Sequence, residues 1–317
     1  MIHKIDMGNT LYLRQTRSMA KIVYTNCPLC GSAHIKKEFD IKDHSHSGEL
    51  FELTSCNDCG FVFTDKVPSE DEIGPYYKSD DYISHSDTQK GLTYKLYHMA
   101  RKRMLKKKER LISRLSAGKR LLDVGAGTGY FPNQMKSAGF DVVGVEVDDD
   151  TRKYASEKFD LNLHPSVDAV IEAGEKEFDF ISLWHVLEHL YGKKDYMAKF
   201  SSLLKEDGHL VIAVPNSDSY DARKYKDKWA AYDVPIHLWH FTPKSMKELA
   251  KRTGFEVVKM KQLPFDPFYI SILSEKYKGG SLGLIKGMFT GFISFLKGSM
   301  NVERASSVVY VLRKSSK

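Results

Sequence analysis

Leu121-Leu122-Asp123-Val124-Gly125-Ala126-Gly127-Thr128-Gly129 is the stretch whose reading decides the fold. A short apolar strand runs into three alternating glycines, and Tyr130-Phe131 then opens an amphipathic segment. Glycines at such a strand-to-helix turn let a ligand approach the backbone at a helix N-terminus. The spacing is G-x-G-x-G, not the G-x-G-x-x-G of dinucleotide sites. Asp123, ahead of the first glycine, would repel a pyrophosphate and favours a ligand carrying an ammonium group. Glu146 ends the next strand, Val142-Val143-Gly144-Val145, 23 residues further on, where a carboxylate can accept both hydroxyls of a ribose. Together these describe a site for S-adenosylmethionine, a nucleoside with an amino-acid end, a sulfonium charge and no phosphate. The alternative is a nucleotide-binding α/β domain of another kind.

Outward from this stretch, strands and helices alternate, the signature of a parallel α/β sheet. Strands are predicted at Arg120–Val124, Asp141–Val147, Phe178–Trp184 and His209–Val214, with a short one near Leu161–His164 and two more at Phe255–Leu263 and Ser306–Leu312. Helices are predicted at Tyr130–Ala138, Asp149–Phe159, Lys194–Leu204 and Ser245–Thr253. The fold class is therefore α/β, a doubly wound, mostly parallel, seven-stranded Rossmann-like sheet over residues 116–317, with an insertion at 264–305. In that insertion Ile285, Met288, Phe289, Phe292, Ile293 and Leu296 share one helical face between Leu282 and Lys297. That face is expected to pack over the pocket or a second subunit, with peripheral membrane contact through 282–297 as the sharper alternative.

The four cysteines form two pairs, Cys27-Pro-Leu-Cys30-Gly and Cys56-Asn-Asp-Cys59-Gly, separated by 25 residues. Two C-x-x-C knuckles, each followed by glycine, suit a tetrahedral Cys₄ zinc site, and four thiolates close the shell, so the zinc is expected to be structural. A redox dithiol would leave the second pair unexplained. His34, His44 and His46, between the knuckles, are expected at the surface. The ribbon should span 23–68 after an N-terminal tail (1–22), with the metal supplying its folding energy. A connector at 69–115 follows, tyrosine-rich at Tyr76, Tyr77 and Tyr82, then helical from about Leu92 to Leu115 with Met104, Leu105, Leu111, Ile112 and Leu115 on one arc.

Composition excludes several classes. Hydrophobic residues make up 42% of the 317 and charged ones 28%, which rules out a mostly disordered or fibrous chain. The net charge of +7 sits entirely between Arg101 and Arg114, where eight basic residues meet one acid. This is not a pervasively basic nucleic-acid protein, and the basic run is expected to be the solvated face of a packed helix. No long apolar run and no signal-peptide pattern occur, so the expected compartment is the cytoplasm.

These residues resemble the class I S-adenosylmethionine-dependent methyltransferases over roughly residues 92–263 and 306–313. The carriers are Leu122 to Phe131, the strand-end Glu146, and Phe178-Asp179-Phe180-Ile181-Ser182-Leu183-Trp184-His185-Val186-Leu187-Glu188-His189. The segment His237-Leu238-Trp239-His240-Phe241-Thr242-Pro243 also looks like the ubiquinone-biosynthesis-like branch. A Cys₄ ribbon ahead of such a domain is similar to the zinc-containing sugar C-methyltransferases, and to a ribosomal RNA guanine methyltransferase with a zinc finger. The resemblance implies a cofactor site at Asp123, Gly125, Ala126, Gly127, Gly129, Tyr130, Phe131, Glu146, Val147, Trp184 and His185. In related quinone methyltransferases a similar Leu-Glu-His turn contributes to a metal or substrate site; here His185 stands where those have an acid.

Methyl transfer needs a base only if the acceptor must lose a proton. His185 and His189 follow the fourth strand, and His237 and His240 follow Pro235, so His237, His189 and His185 are the catalytic candidates. Tyr76, Tyr77 and Tyr82 could line a lid, and Trp229, Trp239 and Phe241 are expected in the core or pocket wall. The favoured acceptor is a small molecule, such as a nucleotide-linked sugar or other glycan precursor. RNA methylation is the alternative, and a non-enzymatic zinc-ribbon adaptor the third reading. The acceptor atom and the oligomeric state are left open.

Overall fold

The computed structural model describes residues 21–77 and 92–315, so Tyr82 and most of the expected N-terminal tail lie outside the described residues. In chain order the strands are β1 (Lys21–Ile22), β2 (Ile35–Lys42), β3 (Leu50–Cys56), β4 (Val62–Asp65), β5 (Val67–Pro68), β6 (Arg120–Val124), β7 (Asp141–Val145), β8 (Phe178–Trp184), β9 (Leu204–Pro215), β10 (Trp239–His240), β11 (Phe255–Gln262) and β12 (Ser307–Lys314). The helices are α1 (Leu92–Ile112), α2 (Tyr130–Ser137), α3 (Asp149–Phe159), α4 (Val167–Glu172), α5 (Lys193–Leu203), α6 (Tyr220–Tyr225), α7 (Pro243–Arg252), α8 (Asp266–Lys278) and α9 (Gly283–Met300).

The main sheet has the order β11-β12-β9-β8-β6-β7. β6, β7, β8 and β9 pair in parallel, β12 runs against both β9 and β11, and so β12 alone is reversed. The expected α/β class holds, but the sheet has six strands among the described residues, not seven. The segment expected as a strand near Leu161–His164 makes only one parallel bridge, His164 to Val145. Alternation along the strands divides the core. Leu122, Ile181, Ile212 and Tyr310 pack toward α5 and α7, while Leu121, Phe180, Val211 and Val309 pack toward α1 and α2. Chain order reverses at β6, with β7 on one side and β8 on the other, and ligands bind at the carboxyl ends of strands beside such a switch point.

The ribbon sheet, ordered β10-β4-β3-β2, takes its fourth strand from Trp239–His240, far along the chain. Trp239 also donates from its indole to the Leu190 carbonyl at 2.6 Å, and its ring shares a core with Phe61 and Cys59. The ribbon is thus built into the catalytic region, not tethered beside it. His44 stacks on Tyr277 with ring centroids 4.3 Å apart, whereas His34 and His46 are exposed as expected.

The insertion forms two helices, and the apolar face of the second stands outward, leaving a second subunit or a membrane surface among its expected partners. Leu284, Ile285, Met288, Phe289, Phe292 and Leu296 face outward, with Ile285 64% exposed and Phe289 63%. The buried stripe of α9 is Gly287, Thr290, Gly291, Ser294 and Gly298. A Cβ on Gly287 would stand 2.5 Å from the Ile272 Cα, and one on Gly291 2.7 Å from the Phe268 Cα. The glycines that weaken the helix locally are what lets α9 lie backbone-to-backbone on α8. No helix among the described residues is long and apolar enough to cross a membrane.

Candidate active site

Two constellations were expected to carry chemistry, and the ribbon's is the simpler. Cys27 Sγ lies 3.6 Å from Cys59 Sγ, Cys30 Sγ lies 3.6 Å from Cys56 Sγ, and all four ligand atoms lie within 4.8 Å of one another. Thiolates about 2.3 Å from a tetrahedral metal stand roughly 3.8 Å apart, so the four sulfurs fit a zinc ion. None is in a disulfide. Gly31 and Gly60, one after each knuckle, take φ of 82° and 73°, the left-handed turn the knuckle needs.

At the carboxyl end of β6, the Gly125 and Ala126 amides both donate to the Val145 carbonyl at 2.8 Å, pinning the loop to β7. Gly127 has φ 52°, and nothing lies within 4 Å of the place a Cβ would take, so its backbone faces open space. Glu146 follows β7 and turns its carboxylate to this loop. Oε2 accepts from the Gly127 amide at 2.8 Å and Oε1 from the Asp148 amide at 3.1 Å. A carboxylate so held, beside a bare backbone, suits the ribose and adenine end of S-adenosylmethionine. Val147 is 78% exposed at the loop's rim, while Phe131 is buried against Trp184 at 5.5 Å. Tyr130 begins α2 and lies under the Arg101 guanidinium, 3.8 Å from its ring centre.

Asp123 is buried and accepts the Ser182 hydroxyl at 2.5 Å. Burial pushes its carboxyl well above the usual range, against the pull of that hydroxyl and of the nearby Lys108 ammonium. Lys108 itself is pulled down by burial and held up by Asp123 and Asp266. Its Nζ sits 4.2 Å over the Trp184 ring. Lys108 was not anticipated, since the basic run was read as solvated. The signal was present, because position 108 shares a helical stripe with Met104, Leu111 and Ile112.

After β8 the chain turns sharply at His185, whose φ is 60°. His185 Nδ1 donates to Glu188 Oε1 at 3.3 Å and Nε2 to Asp266 Oδ2 at 3.0 Å. Burial alone would lower its pKa, but the two carboxylates carry it up to about 10. Both His185 nitrogens are thus engaged by carboxylates, which favour the imidazolium and tie the turn after β8 to the start of α8.

His189 and His237 are placed differently. The His189 Nδ1–H donates to the Ile236 carbonyl at 3.1 Å, with the Tyr77 hydroxyl 3.2 Å away, and the His237 Nδ1–H donates to the Ala231 carbonyl at 2.9 Å. A carbonyl only accepts, so each ring carries its hydrogen on Nδ1 and presents a bare Nε2. Their ring centroids are 4.6 Å apart, edge to face. Burial first, then the neighbouring His237, hold His189 neutral with a pKa of about 3. Glu188 is fully buried, and its Oε2 has no hydrogen-bond partner among the described residues. The ligand atoms of Glu188, His189 and His237 lie within 4.8 Å of one another. Of the expected lid tyrosines, Tyr77 reaches this cluster, while Tyr76 is buried and donates to Glu49 at 3.0 Å. His240 is buried on the Thr64 hydroxyl at 2.8 Å, and Trp229, Trp239 and Phe241 are core.

The cofactor loop and the turn that leads to the histidine pair lie side by side at the carboxyl ends of β6 and β8, where Val186 packs on Gly125. The methyltransferase domain family matches residues 96–260, more than half of the chain. The chain is 28% identical over 164 residues to a ubiquinone biosynthesis O-methyltransferase of Dinoroseobacter shibae, covering 47% of this chain and 65% of that one. It is 29% identical over 163 residues to the enzyme of that description from Ruegeria pomeroyi, covering 48% and 65%. The match thus spans less than two thirds of the length of these relatives. Among solved structures it is similar to a SAM dependent methyltransferase from Archaeoglobus fulgidus, at 20% identity over 68% of this chain and 94% of that chain, TM-score 0.46. It is also similar to Burkholderia thailandensis 1,6-didemethyltoxoflavin-N1-methyltransferase, bound to 1,6-didemethyltoxoflavin and S-adenosylhomocysteine, at 16% identity over 82% and 98%, TM-score 0.47. With its glycine loop, strand-end Glu146 and family match in register, the chain belongs to the class I S-adenosylmethionine-dependent methyltransferases.

Proposed function

We propose that this protein methylates a hydroxyl group of a small-molecule acceptor, with His237 Nε2 receiving the hydroxyl proton. The observation that carries the reading is the His237 ring, held at Nδ1 by the Ala231 carbonyl and grouped with Glu188 and His189 within 4.8 Å. Its O-methyltransferase relatives support an oxygen acceptor. Asp123, the Gly125–Gly129 loop and Glu146 would hold S-adenosylmethionine. When bound, it supplies a methyl group already activated by a positive sulfur, so placement carries much of the rate. His237 takes the proton as the acceptor oxygen becomes methylated, Glu188 stabilises the resulting imidazolium, and neutral His189 keeps the His237 edge in place. The Cys₄ ribbon holds zinc in a structural role. Nucleotide-linked sugars and other glycan precursors belong with phenols in the acceptor panel.

The test follows release of S-adenosylhomocysteine across that panel for wild type and His237→Gln. Loss of a positioned base should lower kcat by about 10²–10⁴-fold, with affinity for S-adenosylhomocysteine retained. A variant turning over like the wild type would remove His237 from the mechanism.

A further inference from the structure

A cavity of about 440 Å³ lies between the second half of α1, β11 and the inner side of α9, and Trp184 forms part of its wall. Met104, Leu111, Leu263 and Phe295 give it apolar surface. Six cations line it, Lys107, Lys108 and Arg110 from α1, Arg114 from the turn after it, and Lys259 and Lys261 from β11, without one acidic residue. Among the described residues, Lys107, Arg110, Arg114, Lys259 and Lys261 have no carboxylate within ion-pair distance. Their neighbours do. Lys106 pairs with Glu109 on the same helix, and Arg313 pairs with Glu256 beside β11.

This arrangement does not help the fold. Lys107 with Arg110, and Arg110 with Arg114, are like charges at helical spacings that repel, and Lys259 and Lys261 add to them from the facing strand. Apolar walls focus such a field into the concavity and draw in anions. Two guanidinium forks with several ammonium groups match the oxygen-rich, multiply charged outline of phosphate. A lone carboxylate would leave most of this charge uncompensated. The cavity also adjoins the turn after β8, because its wall residue Trp184 precedes His185, which pairs with Asp266.

We propose that this cavity binds the phosphate or diphosphate group of the acceptor, so that the substrate is a phosphate ester anchored by α1 and β11 while its reacting end reaches the crevice. The proposal rests on the methyltransferase reading above for the word acceptor, but anion binding itself does not depend on that reading. Phosphate esters come from two sources, a soluble nucleoside diphosphate or a lipid diphosphate, and the outward apolar face of α9 lies on the helix whose inner Phe295 lines the cavity.

The experiment titrates inorganic pyrophosphate into the full zinc-loaded chain saturated with S-adenosylhomocysteine. Wild type and Lys259→Glu with Lys261→Glu are compared at two salt concentrations. Both lysines are exposed, so the variant should keep its Tm and its affinity for S-adenosylhomocysteine. One salt-sensitive pyrophosphate site per chain, weakened at least tenfold in the variant, is expected. Displacement of pyrophosphate by uridine diphosphate would identify a nucleotide source, and displacement by farnesyl diphosphate a lipid one. No pyrophosphate binding, equal binding by the variant, or displacement only by an RNA oligonucleotide would overturn the proposal. Failure of S-adenosylhomocysteine to bind the wild type would strike the methyltransferase reading instead, since the pyrophosphate titration can be run without it.

Discussion

His185 occupies a left-handed backbone position that a bulky residue adopts at a cost, and its two ring hydrogens are both committed to carboxylates. The strain is offset by the bridge it makes from Asp266 at the start of α8 to Glu188 in the turn after β8. Its folded pKa of about 10 lies above the 6.5 of a free imidazole. A group raised in this way contributes its full stabilisation below about pH 6.5 and loses it as pH climbs toward 10. Thermal unfolding of wild type and His185→Gln should therefore show the wild type ahead near pH 6, with the gap closing as the pH approaches 10. A gap that does not change with pH would mean the imidazolium is not what holds the bridge. The sequence marked His185 as a catalytic candidate from its place after a strand, at the sheet edge where ligands bind. It did not reveal Asp266, which comes from the far side of the chain, and long-range pairing of this kind leaves no local pattern. Lys108 was legible in principle, as a lysine on the apolar stripe of α1, but the surrounding basic run masked it.

Among the elements, strands buried on both faces were the easiest to read. Arg120–Val124 and Phe178–Trp184 stand as expected because a near-continuous apolar run bounded by charge has few other places to go. The segment ending at His164 lacks such a run and contributes a single bridge. The α9 helix showed its apolar face in the sequence but not the contact that seats it on α8. Its strongest periodic signal is the apolar face, but its fixed contact is the small-residue stripe opposite, where close approach to α8 matters more than apolar area. Gly291→Leu should therefore be costly, since its side chain would begin 2.7 Å from the Phe268 Cα and 2.8 Å from the Pro267 carbonyl oxygen. Overpacking of this kind costs about 1–3 kcal/mol or more. The exposed Phe289→Ser should change stability little. Urea unfolding of the two variants checks the ordering, and a larger loss for Phe289→Ser would show that α9 packs the other way round.

At the scale of the whole molecule, the ribbon and the catalytic crevice share one backbone connection. The Thr64 amide donates to the Leu238 carbonyl at 2.9 Å and its hydroxyl to the His237 carbonyl at 2.8 Å, while β10 pairs with β4. A metal held by the four cysteines would therefore order the segment that carries His237, although no ribbon cysteine belongs to the His189–His237 cluster. Stripping the metal should lower kcat steeply while affinity for S-adenosylhomocysteine stays near its original value, because the Gly125–Gly129 loop hangs from β6 and β7. Full turnover by metal-free protein would separate the ribbon from the active site.

The loop after β6 and the carboxylate after β7 are placed to hold S-adenosylmethionine together. Calorimetric titration of S-adenosylhomocysteine into wild type and Glu146→Ala tests this role most directly. One site per wild-type chain is expected, with a loss of about 2–4 kcal/mol in the variant, the worth of two charge-assisted hydrogen bonds to ribose. No binding by the wild type, or the same affinity in Glu146→Ala, would contradict it.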